Sequence, residues 1–425
     1  MTPRDSRIEV LWLGLLAPLS GLAVGLVIGL FRLALDAADD LRGQFLSGAA
    51  AWGLPGGIGI VVLSGLMVGL SAYLVQRFSP EAAGSGIPRV QKILAGEVNP
   101  SPARMVLIKF VAGVLAIAPG LAVGREGPSV QMGASIAHQT GRFLPLGESG
   151  RRALIAAGAG AGLAAAFGAP FAGAVFVLEA LLKRFENAVA MASLAATLCA
   201  AWVVGLLCGT GPAFSVAPVH APGWITIGMF MVLGFLAGGM GVIHNRSLLA
   251  ILDLADRLPI APVTRAALIG AAIGAVAWSA PALVGAGASQ IEDALGSNVA
   301  LHVLPALIVV RLALIVLSVA AGTPGGLLVP LLSLGAQFGL LFGLIAAALM
   351  PTTATEPQAF ILVGMAALFA AVVRTPLTAV ILLCEITANT TLQLPMAAAC
   401  FSAMFLPTVL GDRPILDALR ERKAK

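Results

Sequence analysis

Stretches of about 20 apolar residues recur along this chain, and that is the length an α-helix needs to cross the core of a bilayer. They fall at 11–31, 53–76, 105–124, 153–182, 223–243, 266–287, 303–321, 324–350 and 358–383. Charge between and within them is scarce: 11% of the 425 residues are Asp, Glu, Lys or Arg, against about 25% in an ordinary soluble domain. The pattern specifies an all-α polytopic membrane protein and leaves no soluble alternative. Its immediate partner is therefore the lipid bilayer.

The interruptions carry more information than the runs. Glycine (50 residues) and proline (26) are abundant, and small residues let membrane helices approach closely. Yet the breaks cluster at "GSGIP" (84–88), "GREGP" (124–128) and "GTPGGLLVP" (322–330). Non-helical backbone is tolerated at membrane depth only where protein buries it or it lines a cavity. Cys199, Cys208, Cys384 and Cys400 all lie in apolar sequence without a pairing pattern, and the four histidines are far apart, so neither a disulfide framework nor a metal site is expected. No cofactor is expected either. The first apolar run is long and followed by others, unlike a cleavable signal. Arg4 and Arg7 at one end and "LRERKAK" at the other favour short cytoplasmic termini at both ends. The net charge of +5 then reflects topology and gives no reason to invoke nucleic acid.

The chain echoes itself. Residues 158–179 read "GAGAGLAAAFGAPFAGAVFVLE" and residues 364–385 read "GMAALFAAVVRTPLTAVILLCE". Each begins on Gly, carries a Phe before the proline, and places a Glu nine residues after it: Pro170 to Glu179, Pro376 to Glu385. A single domain over 1–425 is expected, with a first repeat at about 11–208 and a second at about 223–411, divided by the Gly/Pro-rich stretch 209–223. Paired halves with interrupted helices point to a transport site near the midplane.

In "GSGIP" and "GREGP" the proline suits the first turn of a new helix, where its missing N–H costs nothing. A helix that starts inside the membrane aims unpaired N–H donors and its positive dipole end at one point. Two or three such starts form an anion site without a full charge, which binds weakly enough to release. Ser85 adds a hydroxyl donor to this cradle, or else caps its own helix. Arg125 and Glu126 stand alone: no Asp, Glu, Lys or Arg occurs in the fifteen residues on either side. An intramembrane acid is a functional candidate by default. Glu126 competes with a free anion for the same donors, blocking when ionised and yielding when protonated. The alternative is a static Arg125–Glu126 pair or a buried cap, though adjacent residues point in different directions.

"GSGIP", "GREGP" and "GGLLVP", in this order and with flanks such as "SPEAAGSGIPRV" and "KFVAGVLAIAPGLAVGREGPSVQMG", resemble the selectivity-filter segments of the CLC chloride channels and transporters. The resemblance runs from the first span to "GDRPILDALR". It implies two inverted repeats of tilted and partial helices (about 18 in all), a homodimer with one pore per subunit, and residence in a bacterial cytoplasmic membrane. It implies chloride as the substrate, with bromide or nitrate as further candidates and protons as a possible counter-substrate; it implies no enzyme activity. Fluoride is not expected, since the fluoride-exporting branch departs from "GSGIP".

Position by position, the resemblance makes Ser85, Gly86, Ile87, Leu327 and Leu328 chloride-binding and Glu126 the gate. Gly84, Pro88, Gly124, Arg125, Gly127, Pro128, Gly326, Val329 and Pro330 complete the filter segments. Two positions depart from the family. The inner proton-carrying glutamate is Ala180, preceded by Glu179, and the pore-facing tyrosine is Leu416, which offers the ion no hydroxyl. With Ala180 in place, protons would need water, Glu179 or Glu186 to reach Glu126, whereas Glu179 could equally be satisfied by backbone donors. Exchange of chloride for protons is favoured because Glu126 is retained; a passive chloride channel is the alternative. The family's longer relatives add a nucleotide-binding regulatory domain, and none is expected here, because "GDRP" is followed by about a dozen residues.

Overall fold

The computed structural model describes residues 3–422 apart from 143–145, 217–218, 220–222, 297–298 and 351–355. The side chains of Arg4 and Arg7, the C-terminal lysines and part of the 209–223 connection lie outside the described residues.

Seventeen α-helices and no strand occur among the described residues. The first half runs α1 (Pro3–Ala50), α2 (Leu54–Phe78), α3 (Ile87–Leu94), α4 (Ala103–Ile117), α5 (Glu126–Gly141), α6 (Glu148–Phe167), α7 (Pro170–Phe176) and α8 (Asn187–Cys208). A π-helical turn, Val177–Leu182, continues α7. The second half repeats the order: α9 (Trp224–Arg257), α10 (Pro262–Ser279), α11 (Ala288–Leu295), α12 (Leu304–Ala320), α13 (Leu328–Leu349), α14 (Pro357–Val373), α15 (Pro376–Thr387) and α16 (Gln393–Val409), with α17 (Ile415–Glu421) added at the end. Even the short 3₁₀ turns match, Pro80–Ala82 with Pro281–Leu283.

Apolar runs and helices do not coincide. Among the described residues six helices are long and apolar enough to cross a membrane by themselves. The run 153–182 is two helices split at Gly168–Ala169, and 358–383 is two helices split at Arg374–Thr375. Both second pieces start on a proline, Pro170 and Pro376, whose fixed φ suits a helix start and whose ring cannot continue the previous one. Conversely α8 and α16 are apolar helices outside the nine runs.

The broken helices are the buried ones. On α14 every residue from Ala359 to Val373 is buried, and α6 is buried from Ala153 to Phe167. Exposed Leu, Phe and Trp side chains decorate α1, α2, α8, α9 and α16, as expected of helices that meet lipid or another subunit. Helices α6 and α14 therefore lie inside a jacket of long helices, while Gly168 at the end of α6 is exposed.

The halves are locked together at two levels. Glu179 accepts hydrogen bonds from Leu377 N (3.0 Å) and Thr378 N (2.7 Å), at the start of α15. Its repeat counterpart Glu385 accepts from Phe171 N (3.0 Å) and Ala172 N (2.7 Å), at the start of α7. Each carboxylate thus caps the helix of the other half, satisfying orphan donors at a positive dipole end. The matched proline-to-glutamate spacing in the sequence is the trace of this exchange.

Candidate functional site

The "GREGP" and "GGLLVP" loops meet. Gly124 N donates to Gly326 O (2.8 Å) and Gly326 N to Gly124 O (2.6 Å), a one-residue antiparallel bridge joining "GREGP" to "GGLLVP". From this bridge α5 and α13 depart, with Pro128 and Pro330 each in the third helical position. Neither glycine has a positive φ; what they supply is space. A Cβ on Gly124 would overlap the Glu126 carboxylate, and one on Gly326 would overlap both that carboxylate and Gly127 N.

The third loop brings α3. Gly84 and Gly86 have φ of 64° and 84°, a region that only glycine enters cheaply. Gly86 then caps α3, with Pro88 in the first turn. Gly325 N donates to Gly84 O (3.3 Å), docking this turn onto the second half. Ser85 Oγ is buried without a hydrogen-bond partner. It lies against Gly127, where an added Cβ would come within 2.6 Å of it. Ser85 therefore does not cap its helix. It is a buried hydroxyl without a protein partner at the meeting of three helix starts.

Glu126 is fully buried. Its Oε1 accepts from Leu328 N at 2.5 Å and Val329 N at 3.3 Å, while Oε2 has no partner. A first-half carboxylate thus occupies the N–H donors that open a second-half helix. Arg125 takes no part in that contact. Its Nε donates to Ala166 O (3.2 Å) and its Nη1 pairs with Asp36 (3.3 Å). Arg32 Nη1 donates to the neighbouring Ala165 O (3.3 Å). The two arginines cap the C-terminal end of α6, where carbonyls are unpaired and the dipole is negative. Arg125 and Glu126 are neighbours in sequence with separate partners.

Behind the α3 turn lies a residue the sequence reading passed over. Lys109, on α4, is fully buried. Its Nζ donates to Ala82 O (3.1 Å), Gly84 O (3.0 Å) and Gln131 Oε1 (2.5 Å). Gln131 Nε2 in turn donates to Glu81 O (2.8 Å). Because a trans peptide sets N–H opposite C=O, drawing the Gly84 carbonyl toward Lys109 turns the Ser85 N–H the other way. The second half repeats the device: Arg311, on α12, donates to Gly285 O (2.8 Å) and Ala286 O in the turn before α11. A lone cation inside an apolar run was the available signal. Lys109 lies one residue beyond the charge-free stretch that isolates Arg125 and Glu126.

The inner proton-path positions are differently placed. Glu179, carried as a proton-path position, has its carboxylate committed to the α15 cap, with Thr378 Oγ1 (2.6 Å) as a third donor. Ala180 is buried in the π-turn, and its carbonyl accepts from Gln91 Nε2 (3.0 Å), whose Oε1 has no partner. Glu186 pairs with Arg184 at the start of α8. Leu416 is buried at the start of α17. That helix is tied down by Lys183 to Asp417 and Arg420 to Glu97. Among the described residues no group of three His, Cys, Asp or Glu could hold a metal.

A cavity of about 420 Å³ opens below the filter on the face that carries α17. Gly84, Ser85, Gly86, Pro88, Gly325 and Leu327 form its roof. Glu126 does not line it. Ser85 thus borders this cavity and the Glu126 carboxylate does not.

The "Voltage gated chloride channel" family model matches residues 64–407. The chain is 33% identical over 420 residues to the H(+)/Cl(-) exchange transporter ClcA of Vibrio parahaemolyticus, covering 97% of this chain and 90% of that one. It is 34% identical over 428 residues to the protein of the same name from Vibrio cholerae, covering 98% and 90%. Among solved structures, a slow cyanobacterial Cl-/H+ antiporter superposes with a TM-score of 0.92 at 31% identity, covering 99% of this chain and 98% of that one. A eukaryotic CLC transporter at 24% identity (TM-score 0.83, covering 98% and 74%) shares the fold. Two repeats of broken helices, joined where the Gly124 and Gly326 loops meet, and a family match over most of the length lead to one statement: the chain belongs to the voltage gated chloride channel (CLC) family.

Proposed function

We propose that this protein moves chloride across the membrane in exchange for protons, with Glu126 as a protonatable gate. The observation that carries the reading is the Glu126 carboxylate on the Leu328 and Val329 N–H groups. An ionised side chain there stands where a halide would stand, so anion entry and carboxylate release are one event. A proton that neutralises the carboxylate removes the charge-assisted part of its hydrogen bonds and frees the donors. Proton and anion then use the same place in turn. The ion's binding set is Ser85, Gly86 and Ile87 from the first half with Leu327 and Leu328 from the second. The exchangers named among its relatives support the coupled reading.

The second reading, a passive chloride channel, is favoured by Ala180 and Leu416. The first removes an acid from the inner proton route and the second a hydroxyl from the ion's path. Under either reading the working unit is a homodimer in a bacterial cytoplasmic membrane, with both termini cytoplasmic. Purified protein in vesicles with a chloride gradient and an internal pH dye separates the two. Uphill proton movement driven by chloride establishes exchange; fast chloride flux without it refutes exchange. In the Glu126→Gln variant, chloride flux becomes independent of pH; retention of the wild-type pH response would remove Glu126 from the gate.

A further inference from the structure

The cavity below the filter is strongly cationic. Arg89 and Lys92 on α3, Arg265 on α10 and Arg422 after α17 line it, against Glu81 and Asp256. Arg422 is consumed by ion pairs with Asp256 (2.7 Å) and Asp253 (3.1 Å). The other three have no carboxylate within 4.0 Å among the described residues. Arg89 makes one long contact, to Ser101 Oγ (3.4 Å), and Arg265 donates to Ala255 O (2.7 Å). Arg89 and Lys92 are three residues apart and so share one face of α3, the face opposite buried Ile87, Val90, Gln91 and Leu94. That same helix begins at Gly86 and presents Ser85. The charges therefore stand on the element that makes the filter, one to two turns behind its tip.

We propose that Arg89, Lys92 and Arg265 form an anion-capture antechamber, which concentrates small inorganic anions beside Ser85 and sets the chloride concentration at which the filter fills from this face. Walls of low dielectric focus the field of unpaired charges into such a cavity and raise the local counter-ion concentration. No direct ligation is required: the cations act through the field, and their effect is lost as salt screens it. The proposal rests on the anion-transport part of the preceding reading and is independent of proton coupling.

The test uses the full chain in vesicles, with chloride flux measured against chloride concentration at two ionic strengths set by an impermeant organic salt. At about 20 mM, where the Debye length is roughly 20 Å, Arg89→Glu and Lys92→Glu each raise half-saturating chloride about two- to five-fold per unit of charge removed. At about 300 mM the difference falls below roughly two-fold, and Arg89→Lys behaves as wild type at both. Half-saturation unchanged at low ionic strength, or a shift that persists at high salt, would overturn the antechamber. So would a loss confined to saturating turnover. In Lys92→Cys, an impermeant trimethylammonium thiol reagent lowers half-saturation and a sulfonate reagent raises it; equal effects from both would show a steric role and sink the proposal. Wild-type protein that passes no chloride would instead remove the transport reading on which it stands.

Discussion

Removal of the Glu126 carboxylate should tighten chloride binding by an amount the geometry bounds. The carboxylate holds one full hydrogen bond, to Leu328 N at 2.5 Å, and one marginal bond, to Val329 N at 3.3 Å. A hydrogen bond to a charged group contributes about 1.5–3 kcal/mol. One full bond and part of a second come to about 3 kcal/mol. An anion entering the same donors must first displace that contact, so in wild type its binding is weaker by a factor of roughly 100. Titration calorimetry of chloride into detergent-purified protein at alkaline pH reads the difference directly. Glu126→Ala should bind chloride about two decades more tightly than wild type. Glu126→Gln should fall between them, because an amide oxygen still accepts but carries no charge. Acidification should move wild type toward the alanine variant and leave that variant unmoved. Affinities of wild type and Glu126→Ala within a factor of about two at alkaline pH would refute the idea that carboxylate and anion share these donors.

Other perturbations probe the frame around the gate. Glu179→Gln and Glu385→Gln each replace a charged cap by a neutral one and should lose a similar stability, about 1 kcal/mol, seen as matched falls in thermal midpoint; a large loss for one alone would break the reciprocity. Lys109→Met leaves three acceptors without their shared donor and should destabilise the protein by roughly 3 kcal/mol. In whatever fraction folds, the chloride-to-nitrate preference should fall, since the α3 turn is no longer held. Leu416→Tyr restores a hydroxyl at the start of α17, and calorimetry should show chloride binding about five-fold tighter, the equivalent of one ordinary hydrogen bond. No change there would place position 416 away from the ion. Ser85→Ala should alter the bromide, chloride and nitrate ranking in flux assays, and an unaltered ranking would remove Ser85 from the ligand set.

What could be read in the sequence was local, and what escaped was the pairing of distant segments. Glu126 declared itself as the lone acid of a long apolar stretch, but the idea that it competes with an anion for helix-start donors did not say which helix holds it; its carboxylate is on the first N–H groups of α13. Arg125 did not declare itself, because its partners are a carbonyl at the end of α6 and an aspartate on α1, 41 and 89 residues away. The spacing from Pro170 to Glu179 was visible as a repeat, yet a repeat cannot reveal that each glutamate reaches into the opposite half. The glycines of "GREGP" and "GGLLVP" were visible only as interruptions of the helices; that they leave room for a carboxylate and a second chain segment is something no local conformational preference encodes. Where one apolar run becomes two helices the sequence gives less warning: hydropathy reports what lipid or core tolerates, and a break such as Gly168–Ala169 is as apolar as the helices it separates.

The bridge between Gly124 and Gly326 has a kinetic consequence. Two short reciprocal hydrogen bonds, backed by the crossed glutamate caps, leave the filter backbone little freedom to open by sliding one half along the other. If Glu126 is the gate, the moving part is then a side chain turning about its own bonds within a fixed frame. Such a motion displaces a few atoms, buries and exposes little surface, and belongs to the fast end of protein dynamics. The slow step of transport would accordingly lie in loading the site with its ion or proton. Turnover should therefore follow the supply of these two species and depend only weakly on the mechanical stiffness of the surrounding membrane.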